Sequence, residues 1–463
     1  MAVRTNMYFS KIQELSLLLI PTSVFVVGVA TTGLQFGVLY VVGAGEWLFF
    51  TGISLVLLSF ALQIASRKPR VIVMALQVLI VEFYLWVIPA FALPGLIFPA
   101  SFHDLVFYTL PLSIVVSGHL NPTLYIFESY PGPYLLVAII KMLAFPSMGY
   151  LTLFKLTPIA LNVIVSLVLY RFFRSCLEKG EGFAFLGVLL FELFNYAVNF
   201  ETLTPPFTLG YLLFYVFLFM TLTLVVEGKS LSDSRNMTII VLGIGVLAIS
   251  YPYNAVDLVF AIGGIGVYGS IRKKSNHASA LKLFLLGSVL IVAWSVFSPG
   301  LLFAFRGYVL SSVENFFSVL FVSTASSVIR QTSSAYHLVV VAKLAVFFAA
   351  VAAASPALIR GLVSKNRMTF IFLSAALGFF MPAVLLAGIQ GSNYNVYLLG
   401  LALPILLYFD IQTLSMLNKK YLYPIVICIL VLSSVPSVEP SSMTICSQPA
   451  RVCPLTLLRH DSK

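Results

Sequence analysis

The chain is a succession of apolar runs, each close to the length of a bilayer-spanning helix and separated from the next by a polar link. A spanning helix needs about 20 apolar residues, or about 17–25 once tilt is allowed. Such runs fall at 15–41, 46–65, 71–93, 151–170, 183–200, 207–226, 237–251, 253–271, 280–299, 337–359, 368–388, 396–411 and 421–436. Composition agrees, with 60% of residues hydrophobic and 9% charged, against about 45–50% and about 25% in soluble chains. The expected fold is an all-α polytopic membrane protein with about thirteen transmembrane helices. The apolar stretch behind MAVRTNMYFSKIQ is too long for a signal-peptide core and reads as a retained first helix. The seventh run is short and stops at SYPYN, where Pro252 breaks the helix.

Cations set the expected orientation. With the N-terminus in the cytoplasm, 19 of the 27 Lys and Arg residues fall in cytoplasmic links. Arg306, Arg330, Arg451, Arg459 and Lys463 fall outside, and Lys141, Lys155 and Lys343 lie on or beside apolar runs. This is the asymmetry that positive-inside insertion produces. It also accounts for the net charge of +11. No Lys/Arg run exceeds three residues, so the charge gives no support for nucleic-acid binding. Four cysteines mark no metal site; Cys446 and Cys453 share the tail, where a disulfide fits if that tail meets an oxidising side.

Residues 1–436 then form one transmembrane domain with two long outer segments, 94–145 and 300–335, and a short polar tail at 437–463. In the first segment, LVFYTLPLSIVVS and PYLLVAIIKMLAF are both too short to span and are expected to lie in the outer interface. Asp104, in SFHD, stands at the outer end of the third helix. It can N-cap a helix starting at Leu105, or act as general base on an incoming hydroxyl. His103 and Glu128 lie in the same segment, and a divalent ion between Asp104, Glu128 and His103 is the alternative to metal-free chemistry. Arg306 and Arg330 are the preferred outer contacts for a phosphate. Asn393, in GSNYNVY, suits hydrogen bonding to a sugar. Glu82, Glu192, Asp257, Lys343 and Asp410 fall within apolar runs, where ionisable groups mark function or pair with one another.

The order HD at 103–104, SGHLNP at 117–122, YPGPYLL at 130–136, FKLTP at 154–158 and YRFFR at 170–174 resembles integral membrane glycosyltransferases of the GT-C superfamily. The resemblance covers about residues 71–175. It implies a polyprenyl-phosphate-linked sugar as donor, a lipid, glycan or protein acceptor, and Asp104 as the catalytic acid of the first outer loop. It further implies that Tyr130 and the Pro131–Pro133 turn shape the site, with Lys155 approaching the donor phosphate. Two features depart from the family pattern: Asp104 has no adjacent acid, and GSNYNVY lacks an arginine that many relatives carry. The competing expectations are a transporter or lipid-linked saccharide flippase that uses the intramembrane charges, and a polysaccharide polymerase or ligase built on the 300–335 loop.

Overall fold

A computed structural model describes residues 2–31, 44–66, 69–88, 114–118, 132–177, 180–199, 205–271, 277–297, 350–390 and 392–417. Every regular element among them is helical. In chain order they are α1 (Ala2–Thr31), α2 (Ala44–Ala65), α3 (Val71–Glu82, continued by a π turn Phe83–Val87), α4 (Gly132–Ile139, continued by a π turn Ile140–Ala144), α5 (Tyr150–Cys176), α6 (Glu181–Asn199) and α7 (Pro205–Val226). There follow α8 (Ser234–Ser250), α9 (Pro252–Ile271), α10 (His277–Phe297), α11 (Ala350–Val363), α12 (Arg367–Gln390) and α13 (Ser392–Met416). Among the described residues, helices overlap each expected apolar run from 46–65 to 396–411, the 337–359 run being described from 350 onward, and α1 begins well before the expected 15. The run at 421–436 lies outside the described residues. Among the described residues six helices, α1, α2, α5, α7, α9 and α10, are long and apolar enough to cross a membrane.

The exterior carries the signature of a chain solvated by lipid. Phe25 on α1, Leu167 on α5, Leu242 on α8 and Val289 on α10 are large apolar side chains with most of their surface outward. In water such a belt would drive aggregation; in hydrocarbon it costs nothing, and the helices must associate by packing and hydrogen bonds instead. Both devices are present. At the crossing of α9 and α12, a Cβ on Gly264 would strike the Ser374 carbonyl, and one on Gly378 would strike that of Phe260. Only hydrogen at these positions lets the two backbones approach so closely. Between α1, α2 and α3 runs a buried polar ladder. Ser59 Oγ donates to Ser16 O at 2.6 Å, Gln63 Nε2 to Ser16 Oγ at 3.0 Å and Gln77 Nε2 to Ser59 Oγ at 2.6 Å, while Ser23 Oγ donates to Gly52 O at 2.7 Å.

The centre is aromatic. Phe172 on α5 meets Phe219 on α7 at 4.7 Å and Phe372 on α12 at 5.5 Å, and Phe372 meets Tyr408 on α13 at 4.5 Å in edge-to-face contact. At one end of the bundle the last turn of α5 and the links around it gather charge: Arg174 pairs with Glu181 at 3.2 Å, and Arg171 and Lys229 both face Glu227. This basic end joins the segments that the cation count assigns to one side. Arg367 extends the same end, donating from Nη2 to the Val225 carbonyl that terminates α7.

At the opposite end sits α4. It is only about two turns long, beginning at Gly132, and relaxes into a π turn over Ile140–Ala144. Lys141 Nζ then donates to the carbonyls of Pro146 and Met148, both at 2.6 Å, and so ties off the bend before α5. The short helix expected over PYLLVAIIKMLAF is therefore present. Of its predecessor, only the turn 114–117 and Gly118 (φ +75°), in the left-handed region that stops a helix at GHLNP, are described.

Candidate functional site

Three helices bring a pair of carboxyls together in the bundle interior. Glu82 closes the α-helical part of α3, Glu192 lies in α6, and Asn162 and Ser166 are one turn apart on α5. By helix rise, Glu82 and Glu192 stand about 16 Å along their helices from the ends nearest the basic cluster, a distance about half the thickness of a hydrocarbon core of about 30 Å.

Glu192 is fully buried and well supplied with donors. Asn162 Nδ2 donates to Oε2 at 2.6 Å, Trp86 Nε1 to the same oxygen at 3.0 Å, and Ser166 Oγ to Oε1 at 2.8 Å. Trp86 reaches it from the π turn Phe83–Val87, whose wider register turns the indole inward while Tyr84 of the same turn holds Ser23 on α1 at 3.1 Å. A π turn of this kind is a common device for aiming side chains at a site.

Glu82 contrasts with its neighbour. It is buried, its carboxyl lies within electrostatic range of Glu192, and Ser166 is close enough to polarise it. The Ser166 hydroxyl is directed to Glu192, however, and neither Glu82 oxygen has a hydrogen-bond partner among the described residues. The Asn162 carbonyl Oδ1 is likewise unpartnered there. The pair therefore combines one carboxyl satisfied by three donors with a second presenting bare acceptors. Like charges side by side in low dielectric are costly, and buried acceptors without donors add to that cost. A proton or a small cation is what such an arrangement can hold.

Two further acids expected in apolar runs, Asp257 on α9 and Asp410 on α13, are also buried, and one Asp410 oxygen has no hydrogen-bond partner among the described residues. Lys343 lies outside the described residues.

The end opposite the basic cluster is tyrosine-rich. Gly132, first residue of α4, packs so closely on Ser250 that a Cβ would strike its Oγ, and Gly210 on α7 receives the Tyr251 ring. Tyr251 stands at the break between α8 and α9, with Tyr211 at 6.3 Å and Tyr253 at 5.6 Å. Tyr134 on α4 is fully buried. Lys155 enters at the same end, one turn and a half into α5, and is buried rather than snorkelling to the surface. Of the residues singled out in the sequence, Asn393 falls in the described helix α13, and His103, Asp104, Glu128, Tyr130, Arg306 and Arg330 lie outside the described residues. The same is true of segment 300–335 and tail 437–463. Sequence reasoning placed Glu82 and Glu192 in apolar runs without joining them. The one local signal was the polar pair Asn162 and Ser166, at helical spacing on an otherwise apolar stretch. Compared with protein families, with curated proteins and with solved structures, the chain matches none.

Proposed function

We propose that this chain is a membrane glycosyltransferase that moves a sugar from a polyprenyl-phosphate carrier to a lipid, glycan or protein acceptor on the outer face of the cell membrane. The observation that carries the reading is the order of motifs over residues 103–174. Its second half coincides with a short helix α4 opened by Pro-Gly-Pro, the buried Lys155 at the head of α5, and a basic cluster at the foot of α5. In this reading the chain has about thirteen spans, a cytoplasmic N-terminus and an outer C-terminus, and the tyrosine-rich end faces outward. Asp104 takes the proton of the acceptor hydroxyl, whose oxygen bonds to the anomeric carbon as the bond from that carbon to the phosphate oxygen breaks. The electron pair leaves on the phosphate, countered by Lys155, Arg306 and Arg330. His103, Glu128, Tyr130 and Asn393 bind the two substrates, and no resident cofactor takes part in the transfer.

A second reading, a transporter of lipid-linked or soluble solute, is favoured by one observation, the buried Glu82–Glu192 pair. The pair makes no ion pair with a Lys or Arg among the described residues, and intramembrane carboxyls of this kind are the usual apparatus of proton- or ion-coupled movement. Transfer of radiolabelled sugar from polyprenyl phosphate, in membranes holding wild type, Asp104→Asn or Glu82→Gln, separates the two. Asn still caps a helix but takes no proton. The transferase reading expects activity lost in Asp104→Asn and kept in Glu82→Gln. Equal transfer by wild type and Asp104→Asn sinks the catalytic assignment, and solute uptake abolished by Glu82→Gln would establish the transporter.

A further inference from the structure

A cleft of about 480 Å³ opens at the basic end of the bundle, between α5, α7 and α8. Its mouth is lined by Arg171, Lys229 and Arg235 together with Asp233 and Asn236. Its inner wall is apolar, formed by Val168 of α5, Met220 and Leu224 of α7, and Ile239 of α8.

The apolar wall continues along the bundle. On α7, Leu213, Phe217, Met220 and Leu224 recur at intervals of four, three and four residues and are all half-buried, so this stripe of the helix packs against the core on one side and keeps part of its surface outward. From Leu213 to Leu224 the stripe runs about 16 Å, roughly half a hydrocarbon core of about 30 Å and therefore one leaflet. α5 flanks it with Ile164 and Val168, and α8 with Ile239, Leu242 and Val246, of which Leu242 is 63% exposed. Phe217 lies against Gly243 of α8, and beside it Met220 and Leu224, with Val168 and Ile239, make the short apolar furrow onto which the cleft opens.

Charge at the mouth is unbalanced. Glu227 receives Lys229 Nζ at 2.6 Å, Arg171 at 3.7 Å and the Ser175 hydroxyl at 3.0 Å, so one carboxylate is shared by two cations. Those contacts, led by the Lys229 hydrogen bond, hold the Glu227 carboxyl below its usual range even against partial burial. Arg235 forms no ion pair among the described residues, and Asp233, N-cap of α8, makes no side-chain cap bond. Three cations against two carboxylates leave an excess positive charge at an interfacial opening over an apolar furrow.

We propose that this cleft binds an anionic membrane phospholipid, with the phosphate held by Arg235, Arg171 and Lys229 and one acyl chain lying in the α7 furrow between α5 and α8. Basic pockets between transmembrane helices at the water interface recognise such headgroups. A zwitterionic lipid supplies the chain without the net charge, and inorganic phosphate supplies the charge without the chain, so both features are needed together. The site stands at the end away from Lys155 and the tyrosine cluster, and it does not depend on the catalytic reading.

The test uses the purified full chain in mild detergent. Short-chain phosphatidylglycerol, phosphatidylcholine or inorganic phosphate is titrated, and bound lipid is counted by native mass spectrometry. Phosphatidylglycerol is expected to bind at one per chain and to raise the melting temperature, with neither effect from phosphatidylcholine or phosphate. Arg235→Glu places an acid at a helix N-terminus, where it suits the helix dipole, so it is expected to fold. It should weaken phosphatidylglycerol binding by about tenfold or more. Met220→Trp, which fills the furrow floor, should weaken it with the cations intact. Equal binding of phosphatidylcholine, or binding unchanged in Arg235→Glu, overturns the proposal. Phosphate binding as well as the lipid would reduce the cleft to a simple anion site and overturn it too.

Discussion

Glu192 is the side chain whose replacement should most clearly distinguish a loss of shape from a loss of charge. It is fully buried and accepts from Asn162 Nδ2 at 2.6 Å, Ser166 Oγ at 2.8 Å and Trp86 Nε1 at 3.0 Å. Glu192→Ala strands three buried donors. Each unsatisfied group costs about 1–3 kcal/mol, and because the three share one site the total is expected near 3–6 kcal/mol rather than their sum. Glu192→Gln behaves differently. Its amide oxygen can take Trp86 and Asn162, and its amide nitrogen can donate to Ser166 Oγ, which frees that hydroxyl to donate to the bare Glu82 oxygens. The substitution also removes one member of a carboxyl pair whose charges would repel, so Gln is expected within about 1 kcal/mol of wild type. Thermal unfolding in detergent reads both, with Ala several degrees below wild type and Gln level with it. If Ala unfolds with wild type, the donors are not sequestered and the described network is wrong. If Gln falls as far as Ala, the negative charge itself is required, and the pair must hold a cation in the native state.

Gly264→Val drives a branched side chain into the Ser374 carbonyl and should cost about 1–3 kcal/mol or more through overpacking at the α9–α12 crossing; Gly245→Ala, with nothing within 4 Å of the added carbon, is the neutral control in the same melting experiment. Gly132→Ala should loosen α4 from Ser250 and expose the Lys141 tie to faster amide exchange over 132–148, without lowering the global melting temperature by more than a few degrees. Glu227, its carboxyl held low chiefly by the Lys229 hydrogen bond, adds stability at pH values above its usual 4.5 and loses it as pH falls through the lowered folded value. Melting curves from pH 6 to pH 3 should therefore drop more steeply for wild type than for Glu227→Gln; parallel curves refute the ion-pair assignment.

The helices were legible because their cause is local. A run of about 20 apolar residues in a chain with 9% charge must hide its backbone in helical hydrogen bonds wherever it meets lipid, and among the described residues the long helices fall on such runs. The break at SYPYN was legible for the same reason, since Pro252 cannot donate to the turn before it. The early start of α1 was not, because its first turns are polar and apolar length alone placed the boundary at 15.

Function in a helical membrane chain is harder to see for a physical reason that the carboxyl pair illustrates. Glu82 and Glu192 are 110 residues apart, and nothing in the local pattern of either says that the two helices face each other. In water, charge tends to sit on a solvated face and an amphipathic stripe shows which way a helix is turned. In lipid the exterior is apolar as well, and helices such as α7 and α10 show no polar face opposite an apolar one, so rotation is fixed by small residues and buried polar contacts scattered along the chain. The residues that settle it here, Gly132, Gly264, Gly378, Asn162 and Ser166, are ordinary in sequence and decisive only in contact. The same logic ranks the two functional readings. The transferase reading, carried by the motif order over 103–174, would place its chemistry at the tyrosine-rich end, where a substrate would reach it without crossing the bundle. A buried carboxyl pair, sealed by Trp86 and by the ladder behind Tyr84, makes sense as a working site only if ions reach it by rearrangement of α3 against α6. Locking those two helices with a cysteine pair on their facing surfaces should leave sugar transfer intact and abolish any coupled transport, and transfer that died with the lock would place the chemistry at the pair itself.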